Sequence, residues 1–117
     1  MAKNILVVDD EFDELNAMKE LLEKEGYKVE AVTNGAKALD ALTGNGFELI
    51  LIDIKMPTLS GFDLLRLLRE RLNHKAKMIY VSIIPEKDVA MDDVDGFIQK
   101  PFSPETFIAK VKEILGE

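Results

Sequence analysis

This sequence has no cysteine, no tryptophan and a single histidine among its 117 residues. Without cysteine there is neither a disulfide framework nor a thiolate nucleophile, and the one histidine, His74, cannot build a zinc site of the usual ligand set. The opening "MAKNILVVDDEF" holds a short apolar run broken by acids, too short to span a bilayer and unlike a secretory signal. Basic residues are outnumbered, 15 against 22 acids, for a formal charge of -7. That balance opposes a polyanionic partner, because phosphate-backbone affinity rests on Lys and Arg displacing counterions. There is no low-complexity tract, no Pro/Gly-rich linker and no repeat of solenoid period. What remains is read as a soluble, cytoplasmic protein with no membrane contact and no direct nucleic-acid contact. Residues 1–117, with 47% hydrophobic side chains, suffice for one domain with its own core and no output domain.

Three runs are apolar at consecutive positions and rich in β-branched residues: Asn4 to Val8, Glu48 to Ile52 and Lys77 to Val81. This pattern suits strands buried on both faces. Two weaker runs, Lys28 to Val32 and Gly96 to Gln99, suit strands nearer the edges. Helical spacing lies between them: Leu15, Met18 and Leu22 before a stop at Gly26; Ala36 to Leu42 after Asn34-Gly35; and Leu64, Leu65, Leu68 and Leu72. A last helix follows Ser103, which can cap it, with Pro104 in its first turn. Strand and helix alternate, so the fold class is α/β, a doubly wound five-stranded parallel sheet with helices on both faces. Ligands of such sheets bind beyond the carboxyl ends of the strands.

The residues at those ends are Asp9, Asp10 and Glu11 after the first strand, Asp53 after the third, Ser82 after the fourth, and Lys100 after the fifth. For Asp10 alone, a helix N-cap explains the residue equally well. Three converging aspartates are different, since like charges at short range repel unless a cation neutralises them. Mg²⁺, which takes carboxylate, water and phosphate oxygens, fits that demand, and Lys100 adds a second positive charge. Together they suggest a phosphoryl site, with the Ser82 hydroxyl as a further donor. His74, Pro57 and Gly61 read as structural: a loop residue, a loop-fixing proline and a tight-turn glycine.

The set "VVDDE", "LIDIKMP" followed by "SGFDLL", "VS" and "FIQKPF" resembles the receiver domain of two-component response regulators over essentially the whole chain. The resemblance implies the flavodoxin-like strand order 2-1-3-4-5. It implies that Asp53 accepts a phosphoryl group from a sensor histidine kinase or phosphotransfer protein, in a reaction the domain itself catalyses. Asp9, Asp10, Asp53 and the backbone carbonyl of Lys55 stand where the family binds Mg²⁺. Lys100 stands where the family pairs a lysine with the acceptor and then with the phosphoryl group. Ser82 is placed to turn toward that group, Phe97 to change rotamer with it, and the change to signal to a downstream protein. By the same resemblance, Lys55 and Ile84 stand at positions that flank the path of the hydrolytic water.

The chain departs from the family pattern after Ser82. The stretch to Lys100 is about one helical turn short, so its helix is expected to be short or irregular. Ile83 replaces a small residue, and Asp93-Val94 a common Gly-Ala pair. The resemblance implies a surface of the fourth helix, fifth strand and last helix that makes phosphorylation-dependent dimers; here signalling through another surface, or through a disordered-to-ordered change in Ile83 to Asp95, without that usual dimer, is the corresponding expectation. Two other readings compete. A phosphorylation-independent interaction module would not require Asp9, Asp10, Asp53 and Lys100, and an aspartyl-phosphate phosphatase should carry a DxD motif that "VVDDEF" lacks.

Overall fold

The runs that are apolar at every position become the central strands of the sheet. In a computed structural model, which describes residues 2–42, 46–56, 60–72, 76–91 and 94–117 (71 and 72 by backbone alone), five parallel strands stand in the order β2-β1-β3-β4-β5. They are β1 (Asn4–Val8), β2 (Lys28–Val32), β3 (Leu49–Asp53), β4 (Lys77–Ser82) and β5 (Gly96–Gln99). β3, in the middle, is buried at every position, whereas β2 and β5 expose residues as edge strands do. The sequence ends β3 and β4 one residue early. Asp53 pairs with Val81, and Ser82 with Gln99, so both polar residues belong to the last rungs of the sheet.

Side chains alternate between faces along a strand. Ile5, Val7, Leu49, Leu51, Ile79, Val81 and Ile98 therefore pack on one side, under helices α1 (Phe12–Lys24) and α4 (Pro104–Leu115). Leu6, Val8, Ile50, Ile52, Met78, Tyr80 and Phe97 pack on the other, under α2 (Gly35–Leu42) and α3 (Gly61–Leu72). Leu15, Met18 and Leu22 of α1, and Leu64, Leu65 and Leu68 of α3, are the buried stripes that the helical spacing predicts.

Of the readings left open for Asp10, the helix cap is not the one observed. Glu11, not Asp10, caps α1: its carboxylate accepts the N–H of Glu14 at 2.8 Å, and Asp10 is left exposed. Ser103 caps α4 as expected, accepting the Thr106 N–H at 3.1 Å. Asn34 accepts the Lys37 N–H at 2.8 Å at the start of α2.

From β4 to β5 the described residues hold only a 3-10 turn, Glu86–Asp88, in place of a regular helix. The expected irregularity is borne out. Apolar side chains fill the place of a helix: Val89 is buried, and Ile84, Met91 and Val94 pack on the α2/α3 side of the core. Asp95 anchors the return, its carboxylate accepting the Met78 N–H at 2.8 Å. Pro57, His74 and Asp93 lie outside the described residues.

Candidate functional site

The alternation that builds the core also sorts the polar residues. Asp9, Asp53 and Lys100 follow Val7, Leu51 and Ile98 by two, which directs them toward α1 and α4. Ser82 follows Tyr80 by two and shares the opposite side with Phe97. The ladder runs past the assigned strand ends. The Asp9 N–H donates to the Val32 carbonyl at 3.2 Å, and the Lys100 N–H to the Ser82 carbonyl at 2.8 Å, so these residues are held as firmly as the strands before them. Asp9, Asp53, Ser82 and Lys100 are the buried polar side chains among the described residues. Four residues foreseen at strand ends thus meet at one edge of the sheet.

Carboxylate oxygens of Asp9, Asp10 and Asp53 lie within 4.8 Å of one another. The Lys100 ammonium lies 2.9 Å from Asp9 Oδ2 and 3.7 Å from Asp53 Oδ2, and it also contacts the Glu14 carboxylate directly. The Asp53 distance is an ion pair without a hydrogen bond. Asp53 Oδ1 accepts the Lys55 N–H at 3.2 Å, which fixes the acid's orientation from the loop side.

Burial dominates the electrostatics of Asp53, whose side chain is 9% exposed. It pushes the carboxyl up to about 7, assisted by the negative charge of Asp9 and opposed by the Lys100 ammonium and the Lys55 N–H. Burial acts on Lys100 in the opposite sense. It lowers the ammonium's pKa, but the contacts with Glu14, Asp9 and Asp53 outweigh it and leave the group raised and charged. One ammonium among this many acids leaves negative charge uncompensated. A hard dication with oxygen ligands fits that donor set, so the residues present suit Mg²⁺.

Ser82 is fully buried, and its Oγ accepts the Ile84 N–H at 3.1 Å. The Gln99 amide spans the same corner, donating to the carbonyls of Ser82 and Ile83 at 3.0 Å each. Phe97 is 6% exposed, packed within the α2/α3 side of the core, while Ile83 is 58% exposed. Gly61 serves a different purpose from a turn glycine. A Cβ there would lie 2.5 Å from the Asp53 carbonyl oxygen and 2.7 Å from the Ile54 Cα, so a bare backbone lets α3 start against the acid's own strand.

Glu14 and Gln99 were not singled out in the sequence. Gln99 had no local signal. Glu14 stands three residues after the cap Glu11, where a capping box would direct its carboxylate back to the Glu11 N–H. Asp9 Oδ1 already accepts that N–H at 2.9 Å.

With this geometry the comparisons with known proteins agree. The model of the response regulator receiver domain matches residues 5–112. The chain belongs to that receiver family. It is 33% identical over 115 residues to the transcriptional regulatory protein YkoG of Bacillus subtilis, a match covering 96% of this chain and 50% of YkoG. It is 33% identical over 118 residues to the transcriptional regulatory protein CpxR of Escherichia coli, covering 95% of this chain and 48% of CpxR. This receiver therefore spans about half the length of these relatives. Among solved structures, it is similar to a CheY-like receiver domain protein of Methanospirillum hungatei, with TM-score 0.90, 33% identity, and 99% and 95% of the two chains covered. The response regulator TrrA of Thermotoga maritima, solved in complex with Mg²⁺-BeF, gives TM-score 0.86 and 32% identity, with 96% of this chain and 98% of TrrA covered. Among the described residues, no helix is long and apolar enough to cross a membrane.

Proposed function

We propose that this receiver is a phosphorylation switch in which Asp53 takes a phosphoryl group from a phosphohistidine on a sensor kinase or phosphotransfer protein. A carboxylate oxygen of Asp53 attacks phosphorus, the P–N bond breaks as the P–O bond forms, and the imidazole leaves with a proton. The observation that carries this reading is the meeting of Asp9, Asp53 and Lys100, three buried charged groups, at one sheet edge beside Asp10. Asp9, Asp10 and Asp53, with the Lys55 carbonyl from the main chain, would hold Mg²⁺, which when bound would supply charge neutralisation and keep Asp53 ionised; the Mg²⁺-BeF complex of TrrA supports Mg²⁺ as the cation.

The protein's own groups do the rest. β3 fixes the backbone of Asp53, and the Lys55 N–H holds one of its carboxylate oxygens. Lys100 meets the incoming phosphoryl oxygens with its positive charge. The added group brings about two negative charges and three acceptor oxygens. Ser82 satisfies one of them by releasing the Ile84 N–H and turning its hydroxyl inward, and Phe97 follows into the space left.

The reaction belongs in the cytoplasm. The -7 charge disfavours direct nucleic-acid contact by this domain, and a protein is the intended listener. Because the described residues between Ser82 and β5 hold only a 3-10 turn, output does not run through the usual dimer surface. A solution mass unchanged by Mg²⁺ and a phosphoryl mimic is expected; a dimer whose interface maps to residues 83–95 would contradict this.

Incubation with Mg²⁺ and phosphoramidate, followed by intact mass, tests the assignment. Wild type should gain one phosphoryl group and Asp53→Asn none. No adduct and no Mg²⁺ affinity would point instead to an interaction module that does not use phosphorylation.

A further inference from the structure

We propose that Glu14 is a positioning residue that holds Lys100 away from Asp53 in the resting protein, so that phosphorylation requires Lys100 to exchange the Glu14 carboxylate for a phosphoryl oxygen. This rests on Asp53 being the acceptor and names how access to it is regulated.

Three observations converge. The Lys100 ammonium contacts Glu14 and Asp9 directly, whereas Asp53 Oδ2 stands at 3.7 Å, beyond hydrogen-bond reach. The Glu14 side chain is 44% exposed and that of Lys100 7%, so Glu14 approaches from the pocket mouth and covers the ammonium on its solvent side. The third concerns what Glu14 does not do. At the third position of α1, the carboxylate would ordinarily accept the N–H of the capping residue. Asp9 Oδ1 takes the Glu11 N–H instead, and the Glu11 carboxylate takes the Glu14 N–H, so the helix start is satisfied without the Glu14 side chain. That carboxylate is free to reach a residue 86 positions away.

An ammonium has three donors, and three carboxylates surround this one. A phosphoryl group on Asp53 adds acceptor oxygens that compete with Glu14 for the ammonium. Lys100 must swing toward them, and the half-exposed Glu14 can rotate into water once released. Glu14 thus opposes the transfer while leaving the acids proposed to hold Mg²⁺ untouched.

The test compares Glu14→Gln, which removes the charge, with Glu14→Asp, which keeps it but shortens the reach by one methylene. The maximal rate of phosphorylation by phosphoramidate with Mg²⁺ is measured separately from the donor concentration giving half that rate. Capture of Lys100 predicts that both variants raise the maximal rate about threefold to fivefold, the scale of a partly exposed ion pair. Glu14→Asp behaving as wild type, or Glu14→Gln altering only half-saturation, would reduce Glu14 to a surface charge that repels the donor and overturn the proposal. A second readout needs no phosphorylation. In metal-free protein, Glu14→Gln should shift the urea midpoint downward relative to its effect in a Lys100→Met background; equal shifts in the two backgrounds overturn the contact. If wild type takes no phosphoryl group, the reading of Asp53 fails and the proposal falls with it. If wild type reacts and the Glu14 variants match it, only the proposal fails.

Discussion

The two sides of the sheet edge are held by different forces. On the α1/α4 side, Asp9, Asp53 and Lys100 are locked by charge, with Lys100 at 2.9 Å from Asp9 and in contact with Glu14 beneath a fully formed helix. On the α2/α3 side, Ser82 is held by the Ile84 N–H and the Gln99 amide, and the described residues from β4 to β5 hold only a 3-10 turn padded by Val89, Met91 and Val94. Neutral hydrogen bonds contribute about 1 kcal/mol each and can be exchanged singly, whereas a buried charge deprived of its partner is strongly penalised. The first side is suited to chemistry driven by charge. The second is suited to rearrangement.

Breaking the charged side should have the largest effect. Lys100→Met leaves Asp9 and Asp53 without their ammonium, and we expect phosphorylation by phosphoramidate to slow by about 10²-fold, as for loss of one preorganised electrostatic group. Urea unfolding of the metal-free variant should show a loss of about 3 kcal/mol, the lower end for a broken buried pair, because Asp53 can shed charge by taking a proton. Gly61→Ala reaches the backbone of Asp53 from the α2/α3 side. The new Cβ meets the Asp53 carbonyl oxygen at 2.5 Å, so α3 must move, and a loss of about 1–3 kcal/mol in urea unfolding is expected with a slower transfer to Asp53.

The charged side can also be sharpened by pH. Burial raises the Asp53 carboxyl from 3.8 to about 7 in the metal-free protein, so the fold binds a proton that the unfolded chain has released. Stability is then fully present below pH 3.8, is lost as pH rises toward 7, and is flat above it. Asp53→Asn lacks this loss. With chelator present, the variant should exceed wild type at pH 8 by on the order of 2 kcal/mol, after allowance for solvent screening, and the difference should shrink toward pH 4. On the neutral side effects are smaller. Gln99→Ala should cost ~1 kcal/mol and speed amide exchange at Ile83 and Ile84, leaving the rate of phosphoryl uptake within about a factor of two of wild type. A slowing as large as that of Lys100→Met would mean that the two sides are not separable.

Periodicity made most of this architecture legible. Runs apolar at consecutive positions suit strands covered on both faces, which placed β1, β3 and β4 and so brought Asp9, Asp53 and Ser82 to one edge, joined by Lys100 after β5. The illegible parts depend on contacts across long separations or on competition between near-equal partners. The Asp10–Glu11 pair offers two acids for one cap, and Glu11 takes it because the Asp9 carboxylate has already claimed the Glu11 N–H. Glu14 reaches Lys100 across 86 positions, for which no local pattern exists. Gly61 carried a turn signal, but its reason is the 2.5 Å approach to Asp53, a distance visible only once α3 is laid against β3. The shortening after Ser82 was visible by resemblance; that it resolves into a 3-10 turn with an apolar plug was not.

The most direct measurement is chemical. The phosphorylated protein, formed with Mg²⁺ and phosphoramidate, is reduced with borohydride, which converts an aspartyl phosphate to homoserine, and the digested chain is mapped by tandem mass spectrometry. Homoserine at position 53 alone is the predicted result. Reduction at Asp9 or Asp10, or no homoserine anywhere in a protein that binds Mg²⁺, would contradict the assignment of Asp53 as the phosphoryl acceptor.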